Sequence, residues 1–290
     1  MLALAALVGC GRRLPVDQPP DLAAARQIRD GFQASVGDGG ETPAATTQQP
    51  TGWATLRGVF KLGGTAPAPL PLKVDKDLEV CAPGSRPVYS EQVVVDDATR
   101  GIANVVIYAD GVPAEWLHDD AKAAVAEEVI FDQKECTFLT HVLGMFATQR
   151  LKILNSDPIG HNTNLSPRNS APFNQTIPAG GHTTYQPQGE EREPFSVVCS
   201  IHPWMQAWII TRSNGYFAVT GPDGTFEIPN LPAGVDLEFR VWQEKANFLQ
   251  DVSVNGQPAR WARGRLPLRL DAEDEAKNRL DVQVDVSVFQ

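Results

Sequence analysis

The run Phe195-Ser-Val-Val-Cys199-Ser-Ile-His202-Pro-Trp-Met205-Gln-Ala-Trp-Ile-Ile210 concentrates unusual chemistry between two stretches of strand-like sequence. Phe195–Val198 and Ala207–Thr211 are rich in Val, Ile, Phe and Trp, the residues that fit a pleated, half-buried surface, and each reads as a strand. The loop between them carries a cysteine out of one strand and returns to the next with the spacing C-x2-H-x2-M. A lone buried Cys or Met is ordinarily core packing, and a lone His is usually a satisfied core residue. Here one tight loop offers a thiolate, an imidazole and a thioether together. That soft set suits copper in both oxidation states better than Mg, Ca or Mn, and it matches poorly the harder or Cys-rich sets of zinc. A second loop cysteine, which a binuclear copper centre would need, is missing.

A fourth ligand must come from elsewhere. Upstream, Leu154-Asn-Ser-Asp-Pro-Ile-Gly-His161-Asn162 follows another predicted strand, and a loop at the end of one strand can reach a loop at the end of its sheet neighbour. The pattern N-x-D…H-N, followed downstream by C-x2-H-P-x-M, resembles the cupredoxins, most closely the amicyanin and plastocyanin group with a short ligand loop. The resemblance spans roughly Phe131 to Thr211. It implies a Greek-key β-sandwich holding one copper ion that cycles Cu(I)/Cu(II), with His161, Cys199 and His202 as trigonal ligands and Met205 as the weak axial one. It further implies that Asn162 braces the ligand loops by hydrogen bonds, and that His141 lies near the copper end as a supporting group or an extra ligand. One ring edge of His202 is expected to show through an apolar patch at Pro203 and Trp204, where redox partners dock. The implied role is single-electron carriage between partners such as a c-type cytochrome, a dehydrogenase or an oxidase. A rival of another class is a copper-storage or delivery protein, or a cell-surface β-sandwich scaffold in which the metal is cargo or structural.

Outward from this core the chain keeps a β character. Ala54-Thr-Leu-Arg-Gly-Val-Phe-Lys-Leu62 reads as the first strand. Glu91–Val95 and Ala103–Tyr108, separated by the turn-rich 96–101, read as a meander or Greek-key pair. Val129–Phe131, Phe138–Phe146, Gln149–Leu154 and Thr183–Tyr185 complete the count before the decisive run. After Asn214, Gly224-Thr-Phe-Glu-Ile228 with a Pro-containing turn at Leu231-Pro-Ala-Gly234 and a strand at Asp236–Trp242 resembles the carboxypeptidase regulatory-like β-sandwich. That stretch carries no catalytic residue and implies scaffolding. The fold class is therefore all-β: a cupredoxin-like sandwich over 53–213, with additional transthyretin-like strands over 214–290 that are either a separate domain or an extension of the first sandwich.

The N-terminal Met1-Leu-Ala-Leu-Ala-Ala-Leu-Val-Gly-Cys10 ends in a tetrapeptide that resembles the bacterial lipobox, although a basic leading segment is missing. The resemblance implies export, acylation of Cys10 and a periplasmic or cell-surface location, with membrane contact only through the lipid. Residues 11–52, rich in Ala, Gln, Thr, Pro and Gly, read as a tether with one short helix-compatible piece around Leu22–Phe32. In an exported protein the two remaining cysteines, Cys81 and Cys136, are most simply a disulfide, the alternative being two free thiols. The chain has 290 residues, 42% hydrophobic and 21% charged, which is enough to bury a core, and its net charge of −10 argues against a nucleic-acid partner. His118 and His182 read as solvated loop residues. No carboxylate pair, nucleophile elbow or phosphate loop appears among Asp119, Asp120, Glu127, Glu190, Glu191 and Glu193, so an enzyme is not expected.

Overall fold

The computed structural model describes residues 48–124 and 126–290. The lipobox-like segment with Cys10, and residues 11–47 of the expected tether, lie outside the described residues. Strands β1 (Gly52–Gly63) and β2 (Val106–Asp110) come first. They are followed by β3 (Glu128–Lys134), β4 (Thr137–Phe138), β5 (Val142–Phe146), β6 (Arg150–Asn155), β7 (His161–Leu165), β8 (Phe173–Ile177), β9 (His182–Tyr185), β10 (Phe195–Val198) and β11 (Gln206–Arg212). The chain then runs through β12 (Phe217–Val219), β13 (Thr225–Ala233), β14 (Asp236–Gln243), β15 (Asn247–Phe248), β16 (Asp251–Val254), β17 (Gln257–Arg260), β18 (Arg265–Arg269) and β19 (Arg279–Asp285). Helix among the described residues is limited to single turns, so the chain is all-β as expected.

Two sandwiches result. In one, the sheets β4-β3-β6-β9 and β5-β11-β10-β7-β8 enclose a core that includes Phe131, Leu151, Ile153, Val197 and Ile209. In the other, the sheets β13-β1-β19-β16-β17 and β12-β2-β14-β15, with β18 on β14, enclose Leu56, Phe60, Ile107, Phe239 and Val282. The first sandwich is inserted between β2 and β12 of the second. Strands β1 and β2 precede the insertion, yet β1 pairs with β13 and β19, and β2 with β12 and β14. The division of sheets thus departs from the 213/214 boundary drawn on sequence, because strand pairing joins segments by register and not by their order in the chain.

A third cluster, containing Val106, Tyr108, Val142, Ile210 and Trp242, packs the outer face of one sandwich on the other. It explains why β2 lacks the usual alternation. Ile107 and Ala109 point into one core, Val106 and Tyr108 into the contact between sandwiches, and the strand is buried on both faces.

Three local expectations change. Glu91–Val95 forms no strand: its pairing with the following segment is limited to an isolated bridge between Val95 and Ile102 and the Ala103 N–H bond to Val94 O, while Val93 and Val95 pack against the core of the second sandwich. Leu231-Pro-Ala belongs to the end of β13, and the turn is delayed to Gly234 at φ 76°. Proline is tolerated there because β13 is an edge strand, whose ladder is open on one side. Strands β7 and β8 are additions to the sequence reading: in His161-Asn-Thr-Asn-Leu only Thr163 is a strong strand former, and in Phe173-Asn-Gln-Thr-Ile the central Asn174 and Gln175 interrupt the pattern.

Candidate metal centre

Antiparallel pairing builds the site. Strand β10 ends at Val198 and β7 begins at His161, and the pairs Val197↔Leu165 and Val198↔Asn164 bring those two ends together. Continued by one residue, that register sets Cys199 opposite Thr163, and the backbone N–H of the neighbouring Asn162 donates to the Cys199 sulfur at 3.3 Å. The return loop to β11 is drawn tight by Met205 N–H donating to His202 O at 2.9 Å and by Cys199 N–H donating to Met205 O at 3.2 Å. Asn162 joins the two loops: its side-chain oxygen accepts from Ser200 N–H at 3.1 Å, while its amide nitrogen donates to Asn174 and to Gln175 O on β8.

This brings His161, Cys199 and His202 into one buried cluster, with ligand atoms within 4.8 Å of one another. The two Nδ1 atoms lie 3.0 Å apart, and the Cys199 sulfur is 3.8 Å from His202 Nδ1. Bonds of about 2.0–2.1 Å to imidazole nitrogen and about 2.3 Å to thiolate, the values for a first-row ion such as zinc, give spacings of that order around a single ion. Met205 is buried in the same core at 2% exposure.

The outer nitrogens decide the chemistry of the inner ones. His161 Nε2 meets Asp157 Oδ2 at 2.7 Å, and His202 Nε2 meets Asp77 Oδ2 at 2.8 Å. A carboxylate can only accept, so each neutral imidazole donates outward and presents a bare lone pair at Nδ1. Two such lone pairs, 3.0 Å apart in a buried site, repel unless a cation lies against both. Burial lowers the pKa of His161 below the ordinary imidazole value, against the opposing pull of the Asp157 carboxylate, and so favours the neutral, ligating form. The donor set and its spacing fit a copper ion.

Both gripping carboxylates have their own support. Asp157 accepts from Glu135 N–H at 2.6 Å and Cys136 N–H at 2.9 Å as well as from His161. Asn155 holds the loop that carries Asp157 by donating to Ile159 O, Ile177 O and Pro178 O. Glu135 and Cys136, at φ 52° and 54°, form the two-residue turn between β3 and β4. Cys136 is bonded to Cys81, so the expected disulfide is present. Cys81 ends the single helical turn Leu78–Cys81, whose N-terminal flanking residue is Asp77. The two histidines are thus linked through Asp157, the β3–β4 turn, the disulfide and Asp77.

This arrangement overturns one expectation. The His202 ring is fully buried, its outer nitrogen occupied by Asp77, and shows no edge at the surface. The segment that covers it had no signature in the sequence, because Asp77 meets His202 only through the distant Cys81–Cys136 bond. Pro203 beside it is exposed, and half-buried Trp204 donates its indole N–H to Cys136 O at 3.2 Å. His141 is not drawn to the cluster: its ring contacts are Glu244 and Glu91. His118 flanks a helical turn, its Nδ1 accepting from Asp120 N–H, and exposed His182 opens β9.

No protein-family model and no curated protein sequence matches the chain. Among solved structures it is similar to amicyanin from Paracoccus versutus (Thiobacillus versutus), at 16% identity and TM-score 0.25, covering 42% of this chain and 93% of that one. It is also similar to the copper-containing nitrite reductase from Thermus scotoductus SA-01, at 20% identity and TM-score 0.27, covering 34% of this chain and 27% of that one. The case for the site rests on its own residues.

Proposed function

We propose that this chain is an exported type 1 copper protein that carries single electrons, and not an enzyme. The observation that carries the reading is the pair of histidines, each with a carboxylate at Nε2, whose Nδ1 atoms face each other 3.0 Å apart beside the Cys199 sulfur. His161, Cys199 and His202 would hold the ion, with Met205 as the weaker fourth donor. Copper bound there supplies one-electron chemistry between Cu(I) and Cu(II). The chain's own residues fix the ligands: Asn162 N–H steadies the sulfur, and Asp77 and Asp157 hold both rings from outside. A framework already locked by hydrogen bonds and a disulfide changes little between oxidation states, which favours fast electron exchange.

The proposed partners are redox proteins such as a c-type cytochrome, a dehydrogenase or an oxidase, docking at Pro203 and Trp204 near the metal. The proposed location is periplasmic or at the cell surface, with a lipid on Cys10. Copper titration of the full chain, followed by visible absorption, tests the site. An intense thiolate-to-copper band is expected in the natural protein and none in Cys199→Ala; copper binding without that band sinks the electron-carrier reading. A second reading, a copper-delivery or scaffold protein, is favoured by the complete burial of His202, which removes the exposed ligand edge expected of a carrier. Reversible voltammetry separates the two, since a carrier cycles and keeps its metal in both states.

A further inference from the structure

His141 is buried, its side chain only 6% exposed, between two carboxylates from distant parts of the chain. Its Nε2 lies 2.5 Å from Glu244 Oε2. Its Nδ1 has no hydrogen-bond partner, and the nearest acidic oxygen, Glu91 Oε2, stands 3.5 Å away. All three residues line a cavity of about 190 Å³ that is also bordered by Met205 and Trp204.

A buried ring nitrogen without a partner needs an explanation. Glu244, itself 5% exposed, accepts from Nε2–H, which leaves a lone pair on Nδ1. A carboxylate behind one nitrogen and a free lone pair on the other is the arrangement of a metal-ligating histidine. Bonds of about 2.0–2.2 Å from one ion to an imidazole nitrogen and a carboxylate oxygen, at a tetrahedral angle, separate those atoms by about 3.4 Å. The observed 3.5 Å is too long for a hydrogen bond and right for two ligands of a shared ion. Charge points the same way. Two carboxylates face one imidazole, an excess of negative charge that a divalent cation would offset.

We propose that His141 Nδ1 and Glu91 Oε2 form a second metal site, for a divalent transition ion of the zinc or copper(II) class, with Glu244 orienting the ring and cavity water completing the coordination. Imidazole and carboxylate are the ligands such ions share, and no thiolate is involved, which sets this site apart from the one at Cys199. Its three residues come from the segment leading to β2, from the start of β5 and from the end of β14, so a bound ion would cross-link the two sandwiches.

The test counts zinc bound per full-length chain by equilibrium dialysis with Zn2+ alone as probe, in the natural protein, Glu91→Gln, His141→Ala, Cys199→Ala and Cys199→Ala combined with Glu91→Gln. Glu91 is half exposed, so its substitution leaves the fold intact. Each of the first two variants should bind one ion fewer than the natural protein, and the double variant one fewer than Cys199→Ala. Glu244→Gln should weaken the same ion by about 10- to 100-fold. Equal zinc uptake by the natural protein and Glu91→Gln overturns the proposal and leaves the cluster an internal ion pair. Because the comparison is repeated in the Cys199→Ala background, failure at the first site does not obscure the second.

Discussion

Asp77 and Asp157 do the same work from opposite sides of the His161–Cys199–His202 cluster, but they are built differently. Asp157 is buried and engaged by two backbone N–H groups besides its histidine, so removing it would unfold its own surroundings. Asp77 is about half exposed and its carboxylate serves His202. It adopts a left-handed conformation at φ 47°, which aspartate tolerates better than most residues. Asp77→Gly, which adopts that conformation freely, should leave folding intact while freeing the His202 ring to rotate and to change tautomer. We expect copper affinity to fall about 10- to 100-fold, read by competition with a copper(I) chelator. An unchanged affinity would mean that the Asp77 contact does not steady the ligand.

At the scale of elements, the β3–β4 turn and the helical turn Leu78–Cys81 act as two halves of a brace. Glu135 and Cys136 are consecutive non-glycine residues in left-handed geometry, each costing about 1–2 kcal/mol, which the two hydrogen bonds to the charged Asp157 offset. The disulfide closes a sequence separation of 55 residues, for which chain entropy predicts a stabilisation of about 4 kcal/mol. Replacing both cysteines by serine should lower unfolding stability by that order, measured by urea denaturation. It should also weaken copper retention, because Asp77 and the Asp157 turn lose their common anchor. Loss of stability with copper affinity unchanged would show that the brace serves the fold and not the metal.

For the whole molecule, the decisive feature is the apolar contact between the two sandwiches. Tyr108 lies fully buried in it, its hydroxyl donating to Arg192 O at 2.5 Å and its ring 4.4 Å below the Arg212 guanidinium. Arg212 in turn donates from β11 to Ala109 O on β2, tying one sandwich to the other. Burial pushes the Tyr108 pKa up to about 12, above the ordinary value of 10.0. A pKa raised on folding means that the folded state keeps its proton longer. The associated stability is whole below pH 10 and is lost as pH rises towards 12, in total about 3 kcal/mol. Urea unfolding between pH 9 and pH 12 should show this decline, and Tyr108→Phe should flatten it. A decline of equal slope in Tyr108→Phe would assign the effect to other groups.

Sequence alone determined the all-β class and the loop that presents Cys199, His202 and Met205, because strand propensity and ligand spacing are local properties. That His161 joins this loop was implied by the family resemblance, but the route was not: the strand before it, β6, lies in the other sheet, and His161 itself opens β7, which pairs with β10. The Cys81–Cys136 bond followed from there being two cysteines left over. What tertiary structure alone decided is what closes over the candidate metal site and what lies beside it. Asp77, Glu91 and Glu244 are ordinary surface acids by sequence, and only chain crossings far apart in number bring them to His202 and His141. The interleaving of β1 and β2 with the C-terminal strands was equally hidden. Register and burial on both faces are set by long-range pairing, and no local pattern records which distant partner a strand will meet.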